Sequence, residues 1–578
     1  MEKKFLVLFF LTLFLSFTIR IFYLTQNPEG FEQTEAAFSY NAYSVLRTLH
    51  DEDGKFLPFI LVSVGDYKLA GYMYWQIPFI ALLGLNEFSV RFSAITAGMI
   101  SLILIYFISY KVFDRRKISL LTLFFTGIAP WHILLSRMGY DPIVAFMFYL
   151  FSVAFFVGWY KRGRIYLVLL SSISLSLGIL TYYSVWVLAP FTILFYWIAI
   201  YKKSQEKISR LAGIFLLLLP ILMMGKLLLL TQGQRLYQDS TYQVHANPLL
   251  EEQVREDQRE FPLFITRMFH NKLIFYPQFL LQNFSNNLSF DFLFLRGDKV
   301  DRRFYVPYNG VLYLWSAPFI FLGVLYFWKR HSLLKNLIIL GLIGLIFFGS
   351  SFSELGSETE RTIFAVPLFS LLLSYGLITI HKNTRKYPAS VVFLGCIIAV
   401  LIINIAYFNH QYYWHANIHE AYGRYFGTRQ MLSSLLPLES KYKKIVIPDS
   451  AYIFYYFYNR VDPQVAQAES VFRLSTVNFN GLALRSKVGN YLTMPIECPA
   501  AGKLNVLYVC RGTNIPKNSK IITIIRYRDT QPAYTLLEFI PKESTFPLPI
   551  NLRYMDKYGV IDDKNDAYWK TEKEISGT

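Results

Sequence analysis

Residues 88–117 read FSVRFSAITAGMISLILIYFISYKVFDRRK, and the fold class follows from this stretch. Residues 88–110 are an apolar run long enough to cross a bilayer, because about 20 helical residues at 1.5 Å rise span a hydrocarbon layer of about 30 Å. Lys111, Arg115, Arg116 and Lys117 follow at once. A short basic loop directly after an apolar run marks the cytoplasmic side of a membrane protein.

The same pattern recurs along the chain. With the N-terminus placed in the cytoplasm, the inner loops hold Lys161, Arg162 and Arg164, then Lys202, Lys203, Lys207 and Arg210. Lys329, Arg330 and Lys335 come next, then Lys382, Arg385 and Lys386. The spacing predicts about eleven spans, at 5–24, 88–110, 118–135, 142–160, 165–181, 183–200, 211–230, 311–328, 334–350, 362–380 and 389–409. The stretch 76–87 is apolar but short, which suits a re-entrant or interfacial segment. Residues 1–24 have a basic start, but their apolar run is longer than a typical signal-peptide core and lacks a small-residue cleavage site. They read as a retained first span, in a multi-pass protein of the cell membrane.

Composition agrees. Of 578 residues, 54% are hydrophobic and only 17% charged, against about 25% charged in soluble domains. The net charge of +18 would suit nucleic-acid binding if it formed one patch. It is instead divided among the short loops, where it sets topology and attracts lipid headgroups. Nucleic acid is excluded as a partner on that ground, and membrane lipid is retained.

Three long segments fall on the outer face: 25–87, 231–310 and the tail from 410. Within the first, EAAFSYNAYSVLRTL (35–49) suits a helix lying in the membrane surface. Asp51, Glu52, Asp53 and Gly54 then read as a solvated turn. The organisation predicted is a transmembrane domain over 1–409 and an extracytoplasmic α/β domain over 410–578. In the tail KKIVIPDS, LNVLYVC and KIITIIRY are short β-rich runs, mixed with helical stretches such as 421–435. Cys396 lies in an apolar block and reads as inert packing. A disulfide between Cys498 and Cys510 is permitted outside the cytoplasm. No zinc spacing, P-loop, dinucleotide-binding glycine pattern or solenoid repeat is present.

Charge next to lipid is costly and marks a substrate path or reaction site. The first outer loop carries Glu32, Glu35, Asp66 and Lys68, and Asp141 and Arg137 stand near a later span end. Arg302, Arg303 and Arg361 are also at predicted outer positions, and Arg20 is near the outer end of the first span. Nucleotide donors are scarce outside the cytoplasm, so a donor used there must arrive in the membrane. A polyprenyl-phosphate sugar has the required lipid tail, phosphate and sugar. Its transfer needs a carboxylate to take the acceptor's proton and cations to stabilise the departing phosphate. Plainer roles exist for the same residues. Arg20 and Arg361 suit snorkelling to the surface, Arg137 and Asp141 suit an i,i+4 salt bridge, and the many Tyr and Trp residues suit an interfacial belt.

The chain resembles the GT-C glycosyltransferases of the protein O-mannosyltransferase and aminoarabinose-transferase type (glycosyltransferase family 39). The resemblance rests on the acidic first loop, GDYK at 65–68, NEFSVRFSA at 86–94, APWHILLSR at 129–137, DFLFLRGD at 291–298 with a basic pair after it, and Gly310. It implies a GT-C fold of about eleven transmembrane helices, with interfacial helices in the outer loops. It also implies an inverting enzyme that uses a lipid-linked sugar at the outer face, with an acceptor protein, lipid or glycan. The family's first loop carries Asp-Glu where this chain has Thr34-Glu35, and Thr cannot act as a base at neutral pH. The resemblance then implies Glu35 as base, with Asp66 next and Glu32 also available, and Asp141 as a further catalytic carboxylate. Lys68 matches the family's lysine, with Leu69 and Ala70 in place of prolines. Ser136, Arg137 and Asp141 match the Ser-Arg-x-x-x-Asp arrangement. Lys68, Arg137, Arg302, Arg303 and Arg361 are the expected donor-phosphate contacts. No metal or other cofactor is required, although Glu32 and Glu35 have the chemistry to hold a divalent ion. The lost Asp also suits a non-catalytic relative that binds a lipid-linked glycan. A lipid-linked glycan transporter is less suited, because ionisable residues cluster in loops rather than in mid-span.

Overall fold

The computed structural model describes residues 2–204, 206–231, 247–298, 302–352, 358–387, 390–471, 473–477, 482–494 and 498–540. The apolar runs form helices: α1 (Glu2–Ile21), α4 (Glu87–Phe113), α7 (Asp141–Arg162), α8 (Tyr166–Thr181) and α9 (Ser184–Lys203). Further along come Leu333–Ser350, Val366–Thr384 and Ser390–His410. Among the described residues, eight helices are long and apolar enough to cross a membrane. The pair α5 (Arg116–Ile128) and α6 (Pro130–Arg137) is apolar enough together to make a ninth, with 57° between the axes. Sequence reading expects one span at 118–135. The bend falls at Ala129-Pro130, where Pro lacks the N–H and clashes with the preceding turn. Two remaining expected spans are shorter helices, α8 and Ala317–Arg330.

Helices α10 (Lys207–Leu216) and α11 (Leu218–Thr231) form one apolar unit. The described part of 231–310 is helical, with Asn247–Asp257, Leu263–Phe269 and Lys272–Leu288. Helix Ala317–Arg330 crosses Val366–Thr384 at paired glycines. A Cβ on Gly323 would overlap the Leu372 carbonyl, and one on Gly376 the Phe319 carbonyl. Small residues allow backbones to approach this closely in membranes, where packing replaces the hydrophobic drive.

The C-terminal part is built on a mixed six-stranded sheet ordered β6-β7-β3-β8-β10-β9. Its strands are β3 (Lys444–Pro448), β6 (Lys487–Val488), β7 (Tyr491–Met494), β8 (Val506–Arg511), β9 (Ser519–Arg526) and β10 (Pro532–Phe539). Strand β3 runs parallel to β7 and β8. The three β-rich runs read from sequence are β3, β8 and β9. Within 421–435, helix forms only over Thr428–Leu435. Cys498 and Cys510 are disulfide-bonded. Cys396 is exposed, on a helix whose apolar window is only 6% buried in the protein; it faces outward rather than packing.

Two expectations for the first loop are corrected. Helix α2 (Gln33–Thr48) is buried along most of its length rather than lying free in the membrane surface. Phe31 stacks on Phe457 and Tyr40 on Tyr456, so the C-terminal part covers it. The turn at 51–53 is not solvated: Asp51 and Glu52 are each 1% exposed. Glu52 Oε1 accepts a hydrogen bond from Tyr452 (2.9 Å), and Asp53 pairs with Arg485 (2.8 Å). A chain segment 432 residues away thus supplies the partner that sequence reading gave to water.

Candidate functional site

The sequence FEQTE (31–35) begins α2 with a capping box. Glu32 is the N-cap, its Oε2 accepting from the Thr34 N–H at 2.5 Å, while Glu35 Oε2 accepts from the Glu32 N–H at 3.0 Å. Reciprocal capping satisfies two amide donors that the first turn would otherwise leave bare. It also fixes both carboxylates in position.

Their surroundings differ. Glu35 is fully buried and receives Arg91 Nε at 3.2 Å, Arg91 Nη2 at 3.4 Å and the Gly139 N–H at 2.7 Å, besides the Glu32 amide. Four donors fill the acceptor capacity of a carboxylate. Gly139 is needed here, because a Cβ would lie 2.5 Å from Val90 and 3.2 Å from Glu35 Oε1. Arg91 also donates to the carbonyls of Leu24, Pro28 and Gly30. The Glu35–Arg91 pair therefore ties α2, α4, residues 24–30 and the 138–140 turn together.

Glu32 faces a different set. Its Oε1 lies 3.9 Å from Arg303 Nη1. Burial raises its carboxyl above the ordinary glutamate value, and Arg303, the Thr34 N–H and Lys68 partly offset that rise. Arg303 donates to the Tyr140 hydroxyl and lies over its ring, 5.2 Å from the centroid.

Lys68 and Asp66 come from the hairpin β1 (Ile60–Ser63) and β2 (Asp66–Leu69), paired Ser63↔Asp66 and Ile60↔Leu69. Val64 and Gly65 form its two-residue turn with φ of 56° and 66°. Positive φ at both positions gives the twist that a tight hairpin requires, and it is unusual for a β-branched residue. The Val64 N–H donates to Tyr452 Oη at 2.8 Å, so the C-terminal part holds the turn. Residues 66 and 68 share a strand face, and Lys68 Nζ reaches Asp66 Oδ2 at 3.0 Å.

Asp141 opens α7, directly after Tyr140. The Tyr182 phenol is pushed well above its ordinary value by burial, followed by the fields of Glu360, Arg361, Glu358 and Asp141, of which Arg361 alone acts downward. Arg361 is ion-paired with Glu358. The Thr359 N–H donates to Asp298 (2.9 Å), and the Trp131 indole donates to the Thr359 carbonyl (2.7 Å), which anchors this turn.

The sequence-selected residues thus divide. Glu32, Asp66, Lys68 and Arg303 gather at the start of α2. Asp141 and Arg361 act on Tyr182. The Arg302 side chain lies outside the described residues. Arg137 is fully buried, and its five N–H groups match five near acceptors: Tyr412 Oη and the carbonyls of Ile19, Arg20, Phe22 and Asn27. That leaves it no donor for a phosphate and makes it a clamp on the end of α1; it is not the i,i+4 partner that spacing suggested for Asp141. Arg20 does not snorkel. It is buried and donates to Ser136, to the Ser16 and Gly127 carbonyls, and to His132. Sequence reading passed over Arg91, Tyr140, Glu358 and Glu360. Arg91 was detectable as a charge inside an apolar span.

The described residues contain no group of three or more His, Cys, Asp or Glu able to hold a metal. Around Glu32 the site offers a carboxyl raised by burial, 3.9 Å from Arg303 and within the field of Lys68, an arrangement suited to deprotonating a hydroxyl beside an anionic leaving group.

Residues 71–224, from the helix Gly71–Leu83 to α11, match the family described as dolichyl-phosphate-mannose-protein mannosyltransferase. No curated protein matches the chain. Among solved structures it is similar to the oligosaccharyltransferase of Archaeoglobus fulgidus tethered with an acceptor peptide. That likeness has 11% identity and a TM-score of 0.44, covering 79% of this chain and 63% of that one. It is also similar to ArnT from Cupriavidus metallidurans bound to undecaprenyl phosphate, with 12% identity and a TM-score of 0.41, covering 81% and 77%. The chain thus spans about 63% of the length of the archaeal protein.

Proposed function

We propose that this chain is a glycosyltransferase of the GT-C type that transfers one sugar from a polyprenyl-phosphate carrier to an acceptor hydroxyl at the outer face of the membrane. The N-terminus is cytoplasmic in this reading, as the basic loops require, and the C-terminal part is extracytoplasmic. The observation that carries the reading is Glu32 held between Arg303 and the Lys68 hairpin, next to a helical core that matches a lipid-linked mannosyltransferase family.

The acceptor oxygen attacks the anomeric carbon as the bond to the carrier's phosphate oxygen breaks. Attack opposite the departing phosphate inverts the centre. Glu32 takes the hydroxyl proton. Lys68 and Arg303 stabilise the charge that grows on the polyprenyl phosphate as it leaves. Asp66 holds Lys68 in place, and Asp141 and Arg361 bind the sugar or the acceptor beside Tyr182. Glu35 is a positioning residue, since its oxygens are already saturated, and Arg137 is a clamp.

Labelled polyprenyl-phosphate sugar, offered to the purified protein in nanodiscs with a pool of envelope acceptors, tests this. Release of polyprenyl phosphate that is lost in Glu32→Gln is expected. Donor binding without release, across mannose and aminoarabinose donors, would point instead to a relative that binds a lipid-linked glycan, which the Thr34 position favours.

A further inference from the structure

The turn that carries Lys68 is one its own sequence does not favour. Val64 is β-branched, yet its φ is 56°, a region such side chains rarely enter. A two-residue hairpin turn with both φ positive is suited to Asn-Gly, and this chain has Val64-Gly65. A residue in a sparsely populated conformation persists only where its surroundings fix it, and such residues gather at functional sites. The turn also decides where Lys68 points. Lys68 is paired with Leu61 across the hairpin, and a slip of one residue would carry it to the other face, away from the side on which its field reaches Glu32.

The turn is met by the helix Tyr452–Tyr458 of the C-terminal part. Tyr452 Oη accepts from the Val64 N–H at 2.8 Å and donates its own proton to Glu52 Oε1 at 2.9 Å. Glu52 draws the hydroxyl hydrogen to itself, which leaves a lone pair for the Val64 amide. The Tyr452 ring is buried, with Arg485 over it at 5.0 Å from the centroid. The same helix is fastened to the membrane part along its length. Tyr456 stacks on Tyr40, Phe457 stacks on Phe31, and Tyr458 Oη donates to Glu87 at 2.8 Å. Just before it the Ser450 carbonyl accepts from Gln33, the neighbour of Glu32, at 3.1 Å.

We propose that Tyr452 is a positioning residue for Lys68. It holds the Val64 amide, the turn then fixes the register of β1 and β2, and the register sets Lys68 beside the departing phosphate. The C-terminal part thereby completes a site whose reacting groups all lie in the membrane part. The phosphate contact of Lys68 rests on the transfer proposed above; its placement by Tyr452 does not.

Tyr452→Phe in the full-length protein in nanodiscs tests this, because it keeps the ring against Arg485 and removes only the hydroxyl. Amide hydrogen exchange of the segment 60–69 should speed up about tenfold, as expected when local opening loses one hydrogen bond. Acylation of Lys68 by a water-soluble active ester, read by mass spectrometry, should quicken with it. Val64→Asn added to Tyr452→Phe should return both toward wild type, since Asn enters positive φ unaided. Unchanged exchange and labelling in Tyr452→Phe overturns the proposal. So does faster exchange throughout the first loop that Val64→Asn does not reverse, which would make Tyr452 an ordinary structural contact. With labelled polyprenyl-phosphate sugar, kcat should fall in Tyr452→Phe and recover in the double variant. A wild-type protein without transfer would end the transferase reading, while exchange and labelling still decide the role of Tyr452.

Discussion

Glu32 and Glu35 are three residues apart and have the same chemistry, yet their surroundings give them opposite uses. Glu35 is enclosed by Arg91 and two backbone amides. Removing one member of a buried pair leaves the other charge uncompensated, which costs about 3–5 kcal/mol. Glu35→Gln is therefore expected to lower the melting temperature of the purified protein sharply, and a double change of Glu35 and Arg91 to Met to recover much of the loss. Equal melting of wild type and Glu35→Gln would remove the positioning role. Glu32→Gln should melt near wild type and lose turnover. Because burial raises the Glu32 carboxyl, the base is lost to protonation at a higher pH than an ordinary glutamate would be. The acid limb of the rate profile should accordingly lie above the usual glutamate range, and a limb at the ordinary position would exclude Glu32 as the base. Sequence offers both acids as candidate bases; the capping box gives them different places at the start of α2, and Arg91, 56 residues on, with the Gly139 and Glu32 amides saturates Glu35.

At the level of elements, the close crossing of Ala317–Arg330 and Val366–Thr384 depends on Gly323 and Gly376, each facing the other helix's backbone. Gly376→Val must force the helices apart, and membrane packing has little else to compensate. Loss of monodisperse protein in detergent, or a melting point lowered by several degrees, is expected; Gly341→Val, where a Cβ meets nothing within 4 Å, is the control and should behave as wild type. The spans themselves were legible, because hydropathy and loop charge are local properties that the bilayer reads one segment at a time. The break at Pro130 was signalled by the proline. The burial of α2 was not, since a helix half apolar and half polar suits a membrane surface and a protein interface equally well. The cover over it is assembled from Tyr456 and Phe457, whose place depends on the tertiary fold.

Across the whole molecule, the C-terminal part and the first loop meet through ionisable groups taken out of water. Arg485, 1% exposed, lies over the rings of Tyr452 and Tyr456 and pairs with Asp53. Beside it the Glu52 carboxyl is pushed up to about 7, chiefly by burial, with Arg485 pulling it back. Asp449, next to the Ser450 carbonyl that receives Gln33 at 3.1 Å, is also pushed up to about 7 by burial. In the folded protein these carboxyls keep their protons to about pH 7, whereas once exposed they release them near 4.5 and 3.8. The folded state thus binds more protons across that window, so its stability must fall as pH rises through it and level off above about 7. Glu52→Gln, which mimics the protonated form, should remove much of that slope and leave the variant more stable than wild type at pH 7.5, with Asp449→Asn removing a further share. Melting temperatures or proteolysis rates of the first loop, measured in nanodiscs between pH 4.5 and 8, provide the check. A wild-type stability that rises with pH over this range, or a slope untouched by both changes, would mean that the interface carries its carboxylates ionised and that Arg485, rather than protonation, offsets their burial.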